Sequence, residues 1–171
     1  FPLLVRAIGG MRLRTPPAIH TCGTTALFAV LVCAGGNVAR VHVSNIGDSM
    51  ALLVGTTGAK GAYIALNRQH RPLADEQHAD EVGRAVAVGL GVDRGRIGDL
   101  CSGSISVSRA LGDVAFSRFA STSPPFALLP PERQPLTSTP EHHDVTAQQM
   151  RDDGFQPLFL VVACDGLWDA L

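Results

Sequence analysis

The sequence predicts an α+β fold built around at least one antiparallel β-sheet. Three features lead to this prediction: apolar segments separated by short turns in residues 25–66, one charged segment between Pro72 and Gly89 that predicts a helix, and a strongly apolar segment near residue 160. Strands joined by turns of a few residues pair antiparallel, whereas parallel pairing needs a longer crossover. With 171 residues, 46% of them hydrophobic and 17% charged, the chain is long enough for one globular domain with its own core.

The first predicted strands form a group of four. Thr25 to Cys33 is a continuous apolar run, which is typical of a strand covered on both faces. Gly35-Gly36-Asn37 is a hairpin turn signal, and from Ala39 to Ser44 apolar and polar residues alternate, as in a half-buried strand. Two further strands follow short turns, Met50 to Val54 and Tyr63 to Leu66. We expect these four strands to form an antiparallel meander.

A helix is predicted next. Pro72 opens it, because proline is favoured in the first helical turn. It extends from Leu73 to Val88, with acidic residues near its start and Arg84 near its end, which suits the helix dipole. Gly89 ends the helix. No element is assigned to the glycine-rich, charged stretch that follows.

The last third of the chain is predicted to be poorer in regular structure. Residues 120–157 hold most of the chain's 11 prolines, so we expect a loop or insertion with one short helix over residues 145–150. Phe159 to Ala163 then forms a strongly apolar strand. No internal repeat is visible, so we expect residues 1–171 to belong to a single domain.

Composition and charge make several classes of function unfavourable. The formal net charge is −1, and without a basic excess the chain is not expected to bind nucleic acid. No apolar segment approaches the ~20 residues needed to span a bilayer. The four cysteines are far apart and lack metal-binding spacing, which favours an intracellular, cytoplasmic location. The first residue is not Met, so we expect the natural chain to begin further upstream.

Three aspartates beside glycines follow strand-like segments. Asp165 comes directly before Gly166, which allows close approach of a ligand, and Asp48 and Asp113 each follow a glycine. A carboxylate at a strand end is held by the sheet while it faces solvent, and such oxygen ligands suit Mg²⁺ or Mn²⁺. The three corners therefore indicate a metal site at one rim of a sheet. The alternative is that they are ordinary turns, since Asp beside Gly is common turn chemistry.

Other hydrolytic arrangements are not indicated. The sequence contains no G-x-S-x-G nucleophile elbow and no Walker phosphate loop. Haloacid-type phosphatases use two aspartates two residues apart, whereas Asp165 and Asp169 are four residues apart. Simpler interpretations are that Trp168 packs in the core and that Asp169 caps a helix beginning there.

Five segments together resemble a known family. They are Gly23-Thr-Thr-Ala26, Ile46-Gly-Asp-Ser49, His70-Arg-Pro72, Ser108-Arg-Ala-Leu-Gly-Asp113 and Ala163-Cys-Asp-Gly-Leu-Trp-Asp169. Their order and spacing over residues 22–171 are similar to those of the type 2C metal-dependent Ser/Thr protein phosphatases. One such motif occurs by chance, whereas five in order are specific.

The resemblance implies a fold, a mechanism and cofactors. The fold would be two packed antiparallel sheets flanked by helices, an α-β-β-α sandwich of which this chain carries a part. Two or three Mg²⁺ or Mn²⁺ ions would activate a water that attacks phosphoserine or phosphothreonine in a protein substrate, without a phosphoenzyme.

The resemblance also implies roles for individual residues. Asp165 matches the aspartate that binds catalytic metal, and Asp48 matches the one implicated in a third, more weakly held ion. Asp113 matches a family position to which a structural role is assigned. Ser108 and Arg109 belong to the same corner and are expected to hold its loop through hydrogen bonds.

Several features of the family are absent from these residues. The first metal motif, Asp-Gly-His-Gly-Gly, the arginine upstream of it and the C-terminal Asp-Asn motif do not occur. Met50 and Gln69 stand where the family usually has arginine and aspartate. We therefore expect an incomplete domain that is nearly inactive by itself.

Three functions remain open at this point. The first is an active phosphatase whose remaining metal ligands lie in flanking segments. The second is a pseudophosphatase that acts as a binding or regulatory domain. The third is an unrelated α+β binding domain with chance Gly/Asp corners. Retention of Asp48 and Asp165 favours the first, because only catalysis gives a chemical reason to keep both carboxylates.

Overall fold

The computed structural model of the chain describes residues 22–73, 75–99, 103–113, 116, 129–130 and 133–170. Part of the expected proline-rich loop lies outside these residues. The chain divides into two compact units. Residues 26–69 and 140–171 form one, called here the sandwich unit, and residues 1–25 and 70–139 form the other, called the helix unit.

Among the residues that the structure describes, strands outnumber helices in both units. The strands are β1 (Gly23–Thr24), β2 (Ala26–Ala34), β3 (Asn37–Ile46), β4 (Met50–Thr57), β5 (Lys60–Ala65), β6 (Gly91–Asp93), β7 (Arg96–Asp99), β8 (Gly103–Ile105), β9 (Leu111–Gly112), β10 (Glu141–Thr146) and β11 (Phe155–Ala163). The helices are α1 (Ala79–Ala87), α2 (Ala147–Asp152) and α3 (Asp165–Trp168), and a 3-10 turn covers Glu76–His78. None of the described helices is long and apolar enough to cross a membrane.

The sandwich unit contains two antiparallel sheets of three strands, in the orders β10-β3-β2 and β11-β4-β5. Gly35 and Gly36 form the predicted hairpin turn between β2 and β3, with φ of 58° and 80°, values that favour glycine. β3 and β4 are consecutive in sequence but lie in different sheets, so the predicted four-stranded meander is wrong. The chain crosses from one sheet to the other at residues 47–49 instead.

The two sheets pack on a shared apolar core. Val41 and Val43 of β3 and Ala51 and Leu53 of β4 are between 0% and 2% exposed and belong to one buried cluster. Met150 of α2 closes the same cluster. The alternation predicted for β3 is confirmed, because its apolar residues are the ones that face the core. The fold class is confirmed as α+β with two packed antiparallel sheets.

The strongly apolar strands are less covered than the sequence predicts. Phe28, Val30 and Val32 of β2 are 64%, 53% and 48% exposed, so the prediction of a strand covered on both faces is wrong for the described residues. The predicted strand at Phe159 exists as part of β11, yet Phe159 is 66% exposed. Both strands lie at sheet edges, where a three-stranded sheet with one packed face leaves its other face open.

The region predicted to be mostly loop contains β10, α2 and the first three residues of β11. β10 escaped prediction because its residues are largely polar and only Val145 is buried. The predicted short helix is α2, whose first turn is capped by the Thr146 hydroxyl and the Gln149 side chain. The sequence did not predict the start of β11, because Pro157 is unfavourable inside a strand. It is tolerated there because β11 is an edge strand and its register shifts between Pro157 and Phe159.

In the helix unit, α1 packs against a small sheet of order β6-β7-β8. Ala85 of α1, Leu90 and Ile97 form the buried contact. The sequence assigned no element to this sheet, because its strands have three or four residues and are rich in glycine. α1 begins later than predicted: the Asp75 side chain accepts a hydrogen bond from the His78 N–H, so the capped 3-10 turn precedes the helix.

We predict that Leu53→Ala lowers the free energy of unfolding by about 2–5 kcal/mol, because it opens a cavity between the two sheets. Leu158→Ala is the matched control, since Leu158 is 62% exposed on the same sheet; it should change the free energy by less than about 0.5 kcal/mol. Urea denaturation followed by circular dichroism measures both. Equal losses in the two variants would contradict the location of the core.

Candidate functional site

Asp48 and Asp165 lie at the same end of the β11-β4-β5 sheet. The last pair between β4 and β11 is Met50 with Ala163. Asp48 precedes this pair by two residues and Asp165 follows it by two residues. Both aspartates lie just beyond this last pair, Asp48 in the segment that leads into β4 and Asp165 at the start of α3, so they lie at the same end of the sheet. The sheet therefore brings together two of the three predicted corners.

The Asp48 corner is a tight, buried crossing. Gly47 has φ of 111°, a backbone conformation that favours glycine. Asp48 is 6% exposed and Ser49 is 8% exposed. Asp48 is thus held on a short segment whose own peptide groups are removed from solvent, rather than on an open turn.

Three amide side chains bond to the carbonyl groups of this crossing. Asn45 Nδ2 donates to Gly47 O at 2.9 Å, and Asn67 Nδ2 donates to Ser49 O at 2.9 Å. Gln69 Nε2 donates to Asp48 O at 2.7 Å. The sequence interpretation missed both asparagines. Asn45 had a signal, because it continues the inward-facing series of β3 with a polar residue where an apolar one is expected.

Asp165 begins α3, directly after β11. The Trp168 indole N–H donates to Ala163 O at 2.8 Å, which folds the short helix back on the strand end. Trp168 is half-buried, so its main described role is this bond. Asp169 follows α3 directly, with its N–H bonded to Asp165 O at 2.8 Å. That Asp169 caps a helix beginning there stays a prediction. A Cβ on Gly166 would touch only Cys164 Sγ, at an ordinary 3.6 Å.

The two carboxylates have the donor chemistry that hard divalent cations prefer. Two carboxylates are fewer ligands than such a cation takes, however. Within the described residues no group of three or more His, Cys, Asp or Glu side chains is placed to hold a metal ion. Asp48 and Asp165 therefore fit Mg²⁺ or Mn²⁺ in kind, and a complete site needs further ligands.

Arg109 and Ser108 belong to the helix unit, where they surround the buried carboxylate of Glu81. Arg109 Nε and Nη2 donate to Glu81 Oε1 at 3.2 and 3.0 Å, and Arg84 Nη2 donates to Glu81 Oε2 at 2.9 Å. Arg109 Nη1 also donates to Thr139 O at 3.2 Å. Glu81 is 0% exposed. Its role was missed because a glutamate in a first helical turn has a sufficient explanation in the helix dipole.

Glu81 remains ionised in this environment. Burial by itself raises the pKa of Glu81, but the Ser108 hydroxyl and the guanidinium groups of Arg109 and Arg84 more than offset burial and hold the pKa below its ordinary value. The Ser108 hydroxyl is buried close to the carboxylate, although it makes no full hydrogen bond within the described residues. The corner that carries Ser108 and Arg109 is thus tied to α1 by charge.

Asp113 lies beside the first of the motif segments. β1 pairs antiparallel with β9, and the Asp113 N–H donates to Cys22 O at 2.9 Å. A Cβ at Gly23 would overlap the Asp113 carboxylate, so any larger residue there requires that carboxylate to move. Burial raises the pKa of Asp113. Asp113 belongs to the helix unit, and its described contacts are those that hold this corner.

Comparisons with known proteins agree with this architecture. The sequence model of the family Protein phosphatase 2C matches residues 10–171. Protein phosphatase 2C homolog 2 of Aspergillus flavus is 38% identical over 130 residues, which cover 76% of this chain and 24% of that protein. Protein phosphatase 2C homolog 2 of Schizosaccharomyces pombe is 34% identical over 147 residues, which cover 86% of this chain and 32% of that protein.

Solved structures support the fold. The crystal structure of serine-threonine phosphatase 2C from Toxoplasma gondii matches 99% of this chain and 48% of that chain, with a TM-score of 0.66 and 20% identity. The chain belongs to the protein phosphatase 2C family, which confirms the resemblance of its five motifs. It spans about a quarter to a third of the length of the curated relatives described above.

We predict that Glu81→Gln destabilises the protein by about 3–5 kcal/mol at pH 7, because it removes the buried negative charge that the largely covered guanidinium groups of Arg84 and Arg109 share. The folded pKa of Glu81 lies below its ordinary 4.5, so its contribution is complete above pH 4.5 and is lost as the pH falls through the folded pKa. The difference from wild type should therefore shrink in acid. Glu76→Gln, at an exposed site, is the control, and an equal loss there would contradict the prediction.

We predict that Gly23→Ala displaces the Asp113 carboxylate and costs about 1–3 kcal/mol of stability through overpacking. Gly61→Ala is the matched control, because a Cβ at Gly61 meets no atom within 4 Å. Thermal unfolding of both variants measures the effect. Equal melting temperatures for the two variants would show that the β1–β9 contact does not require glycine.

Proposed function

We propose that this chain is part of the catalytic domain of a metal-dependent protein phosphatase that hydrolyses phosphoserine and phosphothreonine in proteins. The observation that carries the proposal is the placement of Asp48 and Asp165 at one end of a single sheet, in a chain that belongs to the protein phosphatase 2C family. Phosphorylated proteins would be its substrates, and Mg²⁺ or Mn²⁺ its cofactors.

Asp48 and Asp165 would bind the cations through carboxylate oxygens. Metal ions held there would lower the pKa of a bound water towards neutrality and offset charge on the phosphoryl oxygens. The chain's own contribution is geometric. The buried crossing holds Asp48, and the Trp168 bond to Ala163 holds the turn that carries Asp165.

Further ligands would come from parts of the domain that correspond to the regions of the relatives not matched by this chain. The curated relatives are three to four times longer than the region they share with this chain, as the matched shares of 24% and 32% indicate. We propose that these parts complete the ligand set, because two carboxylates alone leave most of the coordination of a divalent cation to water.

A pseudophosphatase with a binding or regulatory role is the second candidate. It is favoured by the absence of a three-ligand group among the described residues. It predicts a folded protein that recognises phosphoproteins without hydrolysing them.

We also propose an intracellular location. Cys33 and Cys164 are free thiols and exposed in the described structure. Exposed thiols persist where the surroundings are reducing.

We predict that Asp165→Asn lowers Mn²⁺-dependent phosphate release from a phosphothreonine peptide at least ~100-fold in the full-length protein, because it removes a charged metal ligand. Asp153→Asn is the matched control: Asp153 is exposed and precedes the opposite end of β11. It should retain wild-type activity.

Two results would contradict the proposal. Equal activity of the Asp165 and Asp153 variants would remove Asp165 from the site. A folded wild-type protein without Mn²⁺-dependent activity, beside a competent reference phosphatase, would favour the pseudophosphatase instead.

A further inference from the structure

The crossing between the two sheets is held by an unusual set of hydrogen bonds. The carbonyl groups of three consecutive residues, Gly47, Asp48 and Ser49, each accept a bond from a side-chain amide. The donors are Asn45, Gln69 and Asn67, called here the amide clamp. Buried carbonyl groups require such partners, and the crossing has left the regular ladder that would provide them.

Register places Gln69 beside Asp48, on the side away from Asp165. β4 is the central strand of its sheet, with β11 on one side and β5 on the other. The β4–β5 ladder pairs Leu52 with Ala65, and the Leu66 N–H continues it with a bond to Ala51 O at 2.9 Å. Continued further, this register sets Gln69 opposite Asp48, and the 2.7 Å bond from Gln69 Nε2 to Asp48 O agrees with it.

The other two members of the clamp brace Gln69 itself. Asn45 Nδ2 and Asn67 Nδ2 both donate to Arg68 O, at 3.0 and 2.9 Å, and Arg68 directly precedes Gln69. Asn67 Oδ1 in turn accepts a hydrogen bond from the Ala51 N–H at 2.8 Å, which anchors Asn67 to the start of β4, just after the crossing. The Gln69 side chain thus starts from a fixed backbone.

We propose that Gln69 is a positioning residue for metal binding: its amide fixes the peptide group of Asp48 and thereby aims the Asp48 carboxylate beside Asp165. The carbonyl that Gln69 holds belongs to the peptide group between Asp48 and Ser49, so the bond restrains the ψ angle of Asp48 itself, next to the Cα that carries the carboxylate side chain. A ligand that is already oriented loses less conformational entropy when it binds a cation. This inference rests on the proposed function, since it concerns the same metal site.

The decisive variant is Gln69→Met in the full-length protein, which keeps the length of the side chain and removes the donor without adding charge. The Mn²⁺ dissociation constant, measured by calorimetry, should rise about tenfold, as expected for a lost hydrogen bond in a buried setting. The Mn²⁺ concentration for half-maximal phosphate release should rise by the same factor. The KM for the phosphothreonine peptide at saturating Mn²⁺ should stay unchanged.

Gln156→Met is the matched control, because Gln156 is exposed at the opposite end of β11. Hydrogen exchange of the amides at residues 47–49 is measured in parallel and should accelerate only in Gln69→Met. A general loss of folding would instead lower the melting temperature and accelerate exchange throughout the sandwich unit.

The outcomes separate the two proposals. Weaker Mn²⁺ binding with local acceleration of exchange supports the positioning role. Wild-type Mn²⁺ affinity in Gln69→Met overturns it and leaves the proposed function intact. A wild-type protein that neither binds Mn²⁺ nor releases phosphate overturns the proposed function and, with it, the role of Gln69 in metal binding; any change in exchange would then show that the clamp only holds the loop.

Discussion

The passage of the chain from one sheet to the other at residues 47–49 is the constraint on which the candidate site depends. The two sheets share a core only because the chain leaves β3 and enters β4 in the opposite layer within these three residues. Their buried peptide groups need hydrogen-bond partners, and the amide clamp supplies them for all three carbonyl groups. The same crossing places Asp48 at one end of the β11-β4-β5 sheet. β11 finishes at that end, where Asp165 follows it. Core packing and carboxylate placement therefore have one origin.

The helix unit is organised around a different constraint, a carboxylate with no access to water. Glu81 takes hydrogen bonds from Arg84 on its own helix and from Arg109 on the distant motif segment. Arg84 also donates to Gln134 O, and Arg109 also donates to Thr139 O. A buried ion cluster of this kind adds little net stability, because desolvation offsets the attraction, but its partners admit few other arrangements. The network accordingly specifies how α1 and the motif segment meet.

The two departures from the family pattern differ in what the structure says of them. Gln69 has a definite partner, because its amide donates to Asp48 O. The carboxylate of an aspartate at this position could not donate to that carbonyl, since both groups are hydrogen-bond acceptors. The departure therefore does not by itself count against a metal site at Asp48. Nothing in the structure explains Met50. The family relationship and the two carboxylates thus favour an active phosphatase, and Met50 alone gives no physical reason to prefer the binding domain.

The sequence by itself determined what depends on local periodicity and backbone preference: the alternation of Val41 and Val43, the Gly35-Gly36 turn, and the motif residues that led to the family. It did not reveal β10 or the β6-β7-β8 sheet, because those strands are polar or glycine-rich. Their extended conformation is stabilised by pairing with neighbouring strands, which the local sequence does not show. Only the tertiary structure decided that β3 and β4 belong to different sheets. It also placed Asp48 and Asp165 at the same end of one sheet, since the register of strands more than 100 residues apart follows from packing the shared core and no local pattern encodes it.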